Sequence, residues 1–514
     1  MSIFSKLANH FGLADDINRL AVNTVARATE ARPRAYSLWS HEPATGGYGP
    51  FNDYTSWPGL TDRSFSGRHL SPADPATTYP HIDDIVSLFM RPAGAMKGDR
   101  SSALFMFFAQ WFTDSVLRVD ALDRRKNTSN HDIDLCQIYG LTEKAAGLLR
   151  SRQLGKLRSQ LIGGEEYLEY LYEQTGAGTP LKIRSHFADL HSEATLDAVF
   201  TSPTGAPVNI EVRRRAYATG LERGNSTLGY VAISTLFLRE HNRLCEGLHT
   251  AYPAMDDEQL FQTARMINIV LLMKVVVEDY INHIAGRRVF MLDSGFAENE
   301  RWYRTNWIAI EFDLLYRWHS LVPDRIDLGG GKYTSQILNN NELFEKLGLS
   351  AMLNAASRTQ AGQITLFNTP MFLKNAEHAA LKMSRTFRLR SYNDYRQRFN
   401  LPRLEGFEDL NNDPDIMGTL MNHYPTIDDV ELLPGLFAEK ADDGALFGDL
   451  LNIMVAYDAF TQIYTNPLLA KSIYHEGTFT KYGMQEIART HSVADIARRN
   501  CSGDVVANLG FNAR

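Results

Sequence analysis

The sequence predicts a mainly α-helical protein, and three observations support this fold class. Apolar residues recur at helical spacing in long stretches of the 514-residue chain, 44% of all residues are hydrophobic, and only one short region suggests strands. The length would allow roughly three domains of about 150 residues each, but no strong linker divides the chain. We therefore expect a short helical extension in residues 1–82 and one large domain in residues 83–514.

Two amphipathic helices are predicted within residues 4–29. Apolar side chains lie one turn apart over residues 4–11 and again over residues 17–25, and acidic residues precede the second run. Polar interruptions favour packing of both helices on the main body, with peripheral contact to a membrane surface as the alternative. Residues 31–79 are rich in Pro, Gly, Ser, Thr and aromatic residues, and they predict an extended wrapping segment.

Four long helices are predicted in the large domain, at residues 104–116, 141–161, 233–251 and 257–284. The last begins with acidic residues and is followed by Gly286, which are signals for a helix start and a helix end. The periodicity weakens between residues 165 and 222, which indicates an insertion. Within it, residues 200–208 are predicted to form a turn between two short strands.

Composition excludes several classes of function. The net charge of -7 comes from 53 basic and 60 acidic residues spread along the chain, so we expect no nucleic-acid partner. Three widely spaced cysteines, Cys136, Cys245 and Cys501, indicate neither a disulfide framework nor a zinc cluster. The amino terminus becomes polar too soon for a signal peptide, and the apolar run at residues 266–277 is short of the roughly 20 residues that span a bilayer. These features predict a cytoplasmic protein.

One short motif carries the strongest chemical signal. Tyr316 and His319 lie three residues apart at the end of an apolar helical segment. On a helix, such residues share a face with Cβ atoms roughly 5–6 Å apart, so an oxidisable phenol can lie beside an axial ligand of a haem iron. A lone histidine is more often structural than metal-binding, so this pair needs support from elsewhere in the chain.

That support comes from six segments that occur in the same order in a known family. They are FFAQWFT (107–113), IDLCQIYG (133–140), LREHNR (238–243), DEQLFQTAR (257–265), YRWHSLVPD (316–324) and SYNDYRQRF (391–399). The chain resembles the cyclooxygenase branch of the animal-type haem peroxidase and fatty acid dioxygenase superfamily from about residue 83 to 485. It is similar to a compact, bacterial-type relative without the family's disulfide-rich amino-terminal module.

The resemblance implies a haem peroxidase fold, haem b as cofactor and roles for several residues. His319 would be the proximal iron ligand, with Trp318 beside the cofactor, and Tyr316 would be oxidised to a radical that Tyr280 orients. Such a radical can remove a bis-allylic hydrogen atom from an unsaturated fatty acid, after which O₂ adds to the carbon radical. The side chains expected to line the substrate channel are Phe312, Leu315, Ile281, Ile284, Phe447, Val455 and Ala459, although ordinary helix packing also selects apolar residues.

Two channel positions and the channel mouth depart from the family pattern. Val455 and Ala459 stand where cyclooxygenases carry a glycine and a serine, which leaves less room for folding the substrate back on itself. Arg287 replaces the tyrosine at the mouth, and its guanidinium could pair with a substrate carboxylate. A solvated basic turn is the equal alternative, and neither Arg19 nor Arg27 aligns confidently with the family's own arginine.

The distal side of the implied haem shows the most consequential departure. Gln110 matches the distal glutamine, but Asp114 stands where the family carries its distal histidine, one helical turn later. An ordinary aspartate, with a pKa of about 3.9, is a weak general base for peroxide cleavage. We expect weak peroxidase turnover, unless Asp114 points away to cap or pair elsewhere. Ser115 replaces a calcium-binding aspartate, so no calcium is expected there.

The sequence therefore predicts a haem-dependent dioxygenase that converts a linoleate-like fatty acid and O₂ to a hydroperoxide through a Tyr316 radical. A cyclooxygenase that forms a cyclic endoperoxide is the main alternative, and an α-dioxygenase acting beside the carboxylate is a weaker one. A haem-binding sensor without turnover is a further alternative, suggested only by Asp114.

Overall fold

The described part of the chain is mainly helical, as the sequence predicts. The computed structural model describes residues 14–29, 37–40, 56–174, 176, 179–200, 210–328, 332–333, 338–442, 444–505 and 508–513. Within these ranges β-structure is limited to four two-stranded antiparallel pairs. The core is therefore built from packed helices rather than from a sheet.

The α-helices, numbered in chain order, are α1 Ala14–Ala26, α2 Trp57–Thr61, α3 Ile82–Ser87, α4 Ala103–Thr113, α5 Cys136–Tyr139, α6 Glu143–Leu149, α7 Glu193–Val199, α8 Ile210–Arg214, α9 Leu228–Ala251, α10 Asp257–Val275, α11 Asn282–Ile284, α12 Ile310–Leu315, α13 Asn341–Leu347, α14 Leu349–Arg358, α15 Lys374–Thr386, α16 Tyr392–Arg398, α17 Phe407–Leu410, α18 Pro414–His423, α19 Leu432–Ala438, α20 Asp449–Tyr464, α21 Glu476–Ala488 and α22 Val493–Asn500.

The strands are β1 Gly98–Ser102, β2 Ser159–Ile162, β3 Glu165–Leu168, β4 Tyr172–Glu173, β5 Lys182–Ile183, β6 Arg325–Ile326, β7 Lys332–Tyr333 and β8 Gln360–Gly362. β1 pairs with β8, which joins distant parts of the chain, and the other pairs are local hairpins. Short 3₁₀ segments connect the helices, and one of them, His319–Leu321, begins with the predicted iron ligand.

Helices α9 and α10 form the centre of the core. They pack against each other, while α4, α14 and α22 pack on α9, and α21 packs on α10. Both begin with a side-chain cap: the Thr227 hydroxyl accepts from the backbone of Tyr230, and Asp256 forms a capping box with Gln259. Capping satisfies the free amide groups at each helix start, so these two helices begin at fixed residues.

The helical segment Asp257–Ile284 is the one helix in the described ranges that is long and apolar enough to cross a membrane. Most of its apolar window, 83%, is buried inside the protein. Apolar residues all around a helix are typical of a buried core helix as well as of a membrane span. The burial identifies this segment as a core helix in the folded protein.

Two predicted elements differ from the structure. The helix predicted at 141–161 ends at Leu149, because the chain turns at Gly155, where a Cβ atom would lie 2.6 Å from the backbone nitrogen of Phe261. The strands predicted around residues 200–208 are wrong, since helices α7 and α8 flank this region. Residues 201–209 themselves lie outside the described ranges.

The amino-terminal extension is described only in part. Helix α1 packs against α20 with Val22 and Ala26 buried. The second predicted helix is therefore present, but its buried face differs from the predicted one, because Leu20, which was expected on the apolar face, is exposed. Asn18 fixes α1 through two hydrogen bonds to the backbone of Met291. The first predicted helix, at residues 4–11, and much of the wrapping segment lie outside the described residues.

Candidate active site

Tyr316 lies directly after α12 and is surrounded by aromatic rings. The ring of Phe312, one turn earlier, stands perpendicular to it at a centroid distance of 5.1 Å, and the Trp318 ring packs at 4.4 Å. Burial, together with the nearby carboxylate of Asp458, raises the pKa of the Tyr316 phenol above its ordinary value. The phenol therefore keeps its proton at every physiological pH.

Tyr280 lies on a single π-helical turn, Val276–Ile281, that interrupts the long core helix between α10 and α11. Its buried hydroxyl has no aligned hydrogen-bond partner among the described residues. Burial and then the neighbouring Tyr316 hydroxyl raise the pKa of Tyr280 well above its usual range. π-turns inside α-helices occur frequently at functional sites, and this one carries the residue predicted to orient Tyr316.

Further aromatic residues continue this packing. The Trp318 ring lies 4.8 Å from Phe447 and, nearly parallel, 6.2 Å from Phe105. Phe105 in turn stacks on Tyr280 at 5.0 Å. We call Tyr316, Tyr280, Phe312, Trp318 and Phe447 the tyrosine cluster. Its members come from separate elements, and Phe105 of α4 connects its two sides.

His319 opens the 3₁₀ segment that follows the tyrosine. Its side chain is 19% exposed, and its Nδ1 atom lies 3.0 Å from Oε1 of Glu377 on α15. No described residue is seen to bind Nε2, so this nitrogen is the one that can coordinate a metal. The structure thus gives His319 one nitrogen facing a carboxylate and one nitrogen available as a ligand.

Gln110 and Asp114 share the face of α4 that is turned away from the tyrosine cluster. Gln110 is exposed, whereas the other ten residues of α4 are buried, so its amide faces open space from an otherwise enclosed helix. Its Oε1 accepts a hydrogen bond from Thr227 at the start of α9, at 3.2 Å. The Gln110 amide is therefore held by a hydrogen bond while its side chain stays exposed to solvent.

Asp114 is also tied to α9. Its Oδ2 accepts from the Tyr230 hydroxyl at 2.9 Å and lies 3.9 Å from Arg118. Burial raises the pKa of Asp114, although Arg118, Arg223 and the Tyr230 hydrogen bond oppose this rise. We call Gln110, Asp114, Thr227, Tyr230 and Arg118 the distal cluster. Asp114 therefore lies on the same side as Gln110, as the sequence predicts, and it also has Tyr230 and Arg118 as partners.

Five predicted channel residues are buried apolar side chains: Leu315, Ile281, Ile284, Val455 and Ala459. Val455 and Ala459 lie one turn apart on α20, which packs against α12, the helix that leads to Tyr316. Ile281 is the last residue of the π-turn that holds Tyr280, and Ile284 ends α11. All five therefore lie on helical elements that adjoin the tyrosine cluster. That these residues together line a substrate channel stays a prediction.

Arg287 has a different environment. It is exposed and lines a cavity of about 240 Å³ together with Arg100, Arg288 and the carboxylates of Glu278 and Asp279. Arg287 is therefore at the surface and not among the buried channel residues.

The two amino-terminal arginines are both engaged in ion pairs. Arg19 pairs with Asp293 at 2.5 Å, and Arg27 pairs with Glu300 at 2.6 Å. Each pair is partly exposed to solvent, so its contribution to stability is small. Both guanidinium groups link α1 to the loop after α11, and this structural role accounts for their positions.

The donor set of this site fits haem rather than a bare metal ion. Within the described ranges, no group of three or more His, Cys, Asp or Glu side chains could hold a metal ion. A single histidine such as His319 serves as a ligand when the metal brings an organic ring that supplies its other ligands, as haem does. The exposed amide of Gln110 adds a polar group suited to the open side of such a cofactor.

Four residues of the site were not predicted from the sequence, and one of them is Arg118, which lies near Asp114. Thr227 and Tyr230 hold Gln110 and Asp114, and Glu377 faces His319. The helix start before α9 would have placed Thr227, since threonine is a preferred cap. Tyr230 and Glu377 carry no such signal, because their partners lie far away in the sequence.

Comparisons with known proteins identify the family. The family model described as Animal haem peroxidase matches residues 106–509, so the chain belongs to the animal haem peroxidase family. It is 31% identical to Prostaglandin G/H synthase 2 of Gallus gallus over 466 residues, which cover 88% of this chain and 73% of that protein. It is 29% identical to Prostaglandin G/H synthase 1 of Rattus norvegicus, over 85% of this chain and 71% of that protein.

Solved structures show the same fold at lower identity. The fatty acid alpha-dioxygenase of Oryza sativa superposes with a TM-score of 0.69 at 17% identity, covering 95% of this chain and 89% of that structure. Peroxidase A of Dictyostelium discoideum gives a TM-score of 0.69 at 18% identity, covering 87% and 95%. The predicted fold class is therefore confirmed, since the chain has the fold of these solved structures.

Proposed function

We propose that this protein is a haem-dependent dioxygenase that converts an unsaturated, linoleate-like fatty acid and O₂ to a fatty acid hydroperoxide. One observation carries the proposal: Tyr316, a half-buried tyrosine, packs against the rings of Phe312 and Trp318 and has the Tyr280 hydroxyl as a neighbour. It lies three residues before His319, whose Nε2 atom is available as a ligand. Sequence relatives that are prostaglandin G/H synthases support the same class of substrate.

Haem bound through His319 would supply the oxidising equivalent. Tyr316 then loses an electron and a proton together, because burial disfavours the phenolate. The Tyr316 radical removes a bis-allylic hydrogen atom from the fatty acid, and the carbon radical combines with O₂. The resulting peroxyl radical takes the hydrogen atom back from Tyr316, which yields the hydroperoxide and restores the Tyr316 radical.

The protein contributes position and exclusion of water. Phe312, Trp318 and Phe447 are buried, so the phenol reacts in an apolar environment where competing proton transfers are suppressed. The Tyr280 hydroxyl neighbours that of Tyr316, and a small rotation that aligns the two groups would restrain the phenol and keep its oxygen directed at one substrate carbon. Each radical can serve several turnovers, so the peroxidase half of the family's chemistry is needed only to start the reaction.

Two residues of the predicted channel, Val455 and Ala459, favour a linear hydroperoxide as product. Val455 has more side-chain volume than the glycine expected from the family, and Ala459 lacks the hydroxyl of a serine. Both side chains are buried on the helix that packs against α12. A crowded channel keeps the fatty acid extended, whereas cyclisation requires the chain to fold back. Cyclooxygenase activity is the second candidate, favoured by the identity to prostaglandin G/H synthases.

Product identification after incubation with fatty acids under O₂ tests the proposal. Haem-loaded protein is given linoleate, arachidonate or palmitate, the last because a rice fatty acid alpha-dioxygenase variant has been solved with palmitic acid. We expect O₂ uptake and a linoleate hydroperoxide, with no endoperoxide from arachidonate. A 2-hydroperoxide from palmitate would indicate an α-dioxygenase instead.

Two controls separate the alternatives. A protein in which Val455→Gly and Ala459→Ser are combined should gain cyclic products from arachidonate if channel bulk prevents cyclisation. His319→Ala should lose haem and all O₂ uptake. If the unaltered protein binds haem but consumes no O₂ with any of the three acids, the dioxygenase proposal fails and the sensor alternative is supported.

A further inference from the structure

Glu377 is a buried carboxylate placed against the proposed iron ligand. The side chain is 4% exposed, and its Oε1 atom lies 3.0 Å from Nδ1 of His319. The same oxygen accepts a hydrogen bond from the Thr369 hydroxyl at 2.8 Å. A carboxylate is rarely buried without a partner, because desolvation of the charge is costly. The position of Glu377 therefore requires a partner, and His319 is the ionisable group in contact with it.

The orientation of the imidazole leaves room for a stronger contact. Nδ1 of His319 has no aligned acceptor among the described residues, although it lies within hydrogen-bonding distance of Glu377. The torsion that turns a histidine ring has a broad energy minimum. A small ring rotation therefore aligns the Nδ1–H group with the carboxylate and leaves Nε2 on the opposite side of the ring.

We propose that Glu377 is the positioning residue for the proximal ligand: it accepts a hydrogen bond from Nδ1–H of His319 and presents Nε2 to the haem iron. This inference rests on the proposed function, in which His319 binds haem. Metal-binding histidines almost always donate their second N–H group to a carboxylate or carbonyl, which fixes the tautomer and makes the other nitrogen more basic.

A carboxylate in this place has a direct chemical consequence. A hydrogen bond to an ionised acceptor is roughly twice as strong as a neutral one. It therefore increases electron donation from the imidazole to the iron and stabilises the ferric form over the ferrous form. Glu377 would thereby set the redox potential of a haem held by His319.

The test is the iron–histidine stretching frequency of the ferrous protein, measured by resonance Raman spectroscopy, together with the midpoint potential and haem affinity. Glu377→Gln keeps the size of the side chain and an oxygen acceptor but removes the charge. We expect the frequency to fall and the potential to rise in Glu377→Gln, with larger shifts in Glu377→Ala. Haem affinity should fall by about 10–100-fold in Glu377→Ala.

Two further variants control for indirect effects. Thr369→Val removes a competing hydrogen bond to the same oxygen of Glu377, so it should shift the frequency and the potential slightly in the direction opposite to Glu377→Gln. His378→Ala alters the next residue of α15 and should change neither frequency nor potential. Unchanged frequencies in both Glu377 variants, with haem retained, would overturn the inference while leaving the proposed function intact. Retention of haem with an unchanged frequency in His319→Ala would instead overturn the ligand assignment and the proposed function with it.

Discussion

The tyrosine cluster packs against one face of helix α4, and the distal cluster lies at the opposite face. The first is mainly aromatic, whereas the second is polar. Phe105 and Phe108 turn toward Tyr280 and form an apolar contact surface. Gln110 and Asp114 turn toward α9 and make polar contacts. The tyrosine cluster has the side chains expected of a cyclooxygenase relative, whereas the distal cluster has lost its histidine. This difference is the basis for the proposal that fatty acid oxygenation dominates over peroxide turnover in this protein.

The largest expected effect concerns the tyrosine cluster. Tyr316→Phe should abolish fatty acid oxygenation, because phenylalanine has no O–H group to donate as a hydrogen atom. Haem content, measured by absorbance, should not change. Tyr280→Phe is the matched control: it removes one hydroxyl that restrains Tyr316, worth about 1 kcal/mol, and should lower the oxygenation rate by about 5–10-fold. Full activity in Tyr316→Phe would rule out the radical role.

In the distal cluster, a substitution is expected to increase an activity, the turnover of peroxide, rather than to abolish one. Asp114→His restores a base that is neutral near pH 7 and should increase peroxide turnover by about 10²–10⁴-fold. Oxygenation of fatty acids should change much less once the reaction has started. Asp114→Asn serves as a control without a base. If Asp114→His leaves peroxide turnover unchanged, Asp114 is not the distal group or is already an adequate base.

The contact between Asp114 and Tyr230 should matter for stability. Tyr230→Phe leaves a buried carboxylate oxygen without its donor, so the free energy of unfolding should fall by about 1–3 kcal/mol. The same change should raise the pKa of Asp114, because the hydrogen bond now lowers it. Urea unfolding measures the loss, with Tyr303→Phe as a control expected to lie within about 0.5 kcal/mol of the unaltered protein.

The smallest effect is expected behind the tyrosine cluster, at Asp279 on the π-turn. Burial raises the pKa of Asp279 to about 6, while its Oδ2 accepts from the backbone of Val493. The folded protein therefore binds a proton more tightly there than the unfolded chain, so this group's contribution to stability is full below about pH 4 and is lost as the pH rises to about 6. Asp279→Asn keeps an acceptor and should flatten this dependence in unfolding measured from pH 4 to 7. Parallel curves for the two proteins would contradict the assignment.

Much of the fold was predictable because its signals are local. Helices α9 and α10 have apolar spacing and capping residues in the sequence, and both appear close to the predicted bounds. The segment at 141–161 has similar spacing, yet it turns after α6 because it packs on the start of α10 at Gly155. The π-turn at Val276–Ile281 has no local signal either, because one extra residue in a helical turn does not change the composition.

The candidate site divides in the same way. Tyr316 and His319 are close in the sequence, and six ordered segments were needed before their spacing could be interpreted. The shared helical face that the spacing predicted is not formed, because α12 ends at Leu315 and His319 begins a 3₁₀ segment. Five of the channel residues predicted by resemblance are buried near them, while Arg287 is at the surface. The resemblance could not show that difference, because a residue after a helix end can turn toward either side. The direction depends on the chain that packs around it.

The sequence by itself determined the family, the helical fold class and the pairing of an oxidisable tyrosine with a candidate iron ligand. Helical spacing and the pairing are encoded in residues close together, and the family is encoded in the order of short segments along the chain. Only the tertiary structure decided which groups face those residues. Glu377 lies beside His319 and Tyr230 beside Asp114 although each pair is far apart in the sequence. Such contacts arise when separate helices pack, and packing is a property of the whole folded chain.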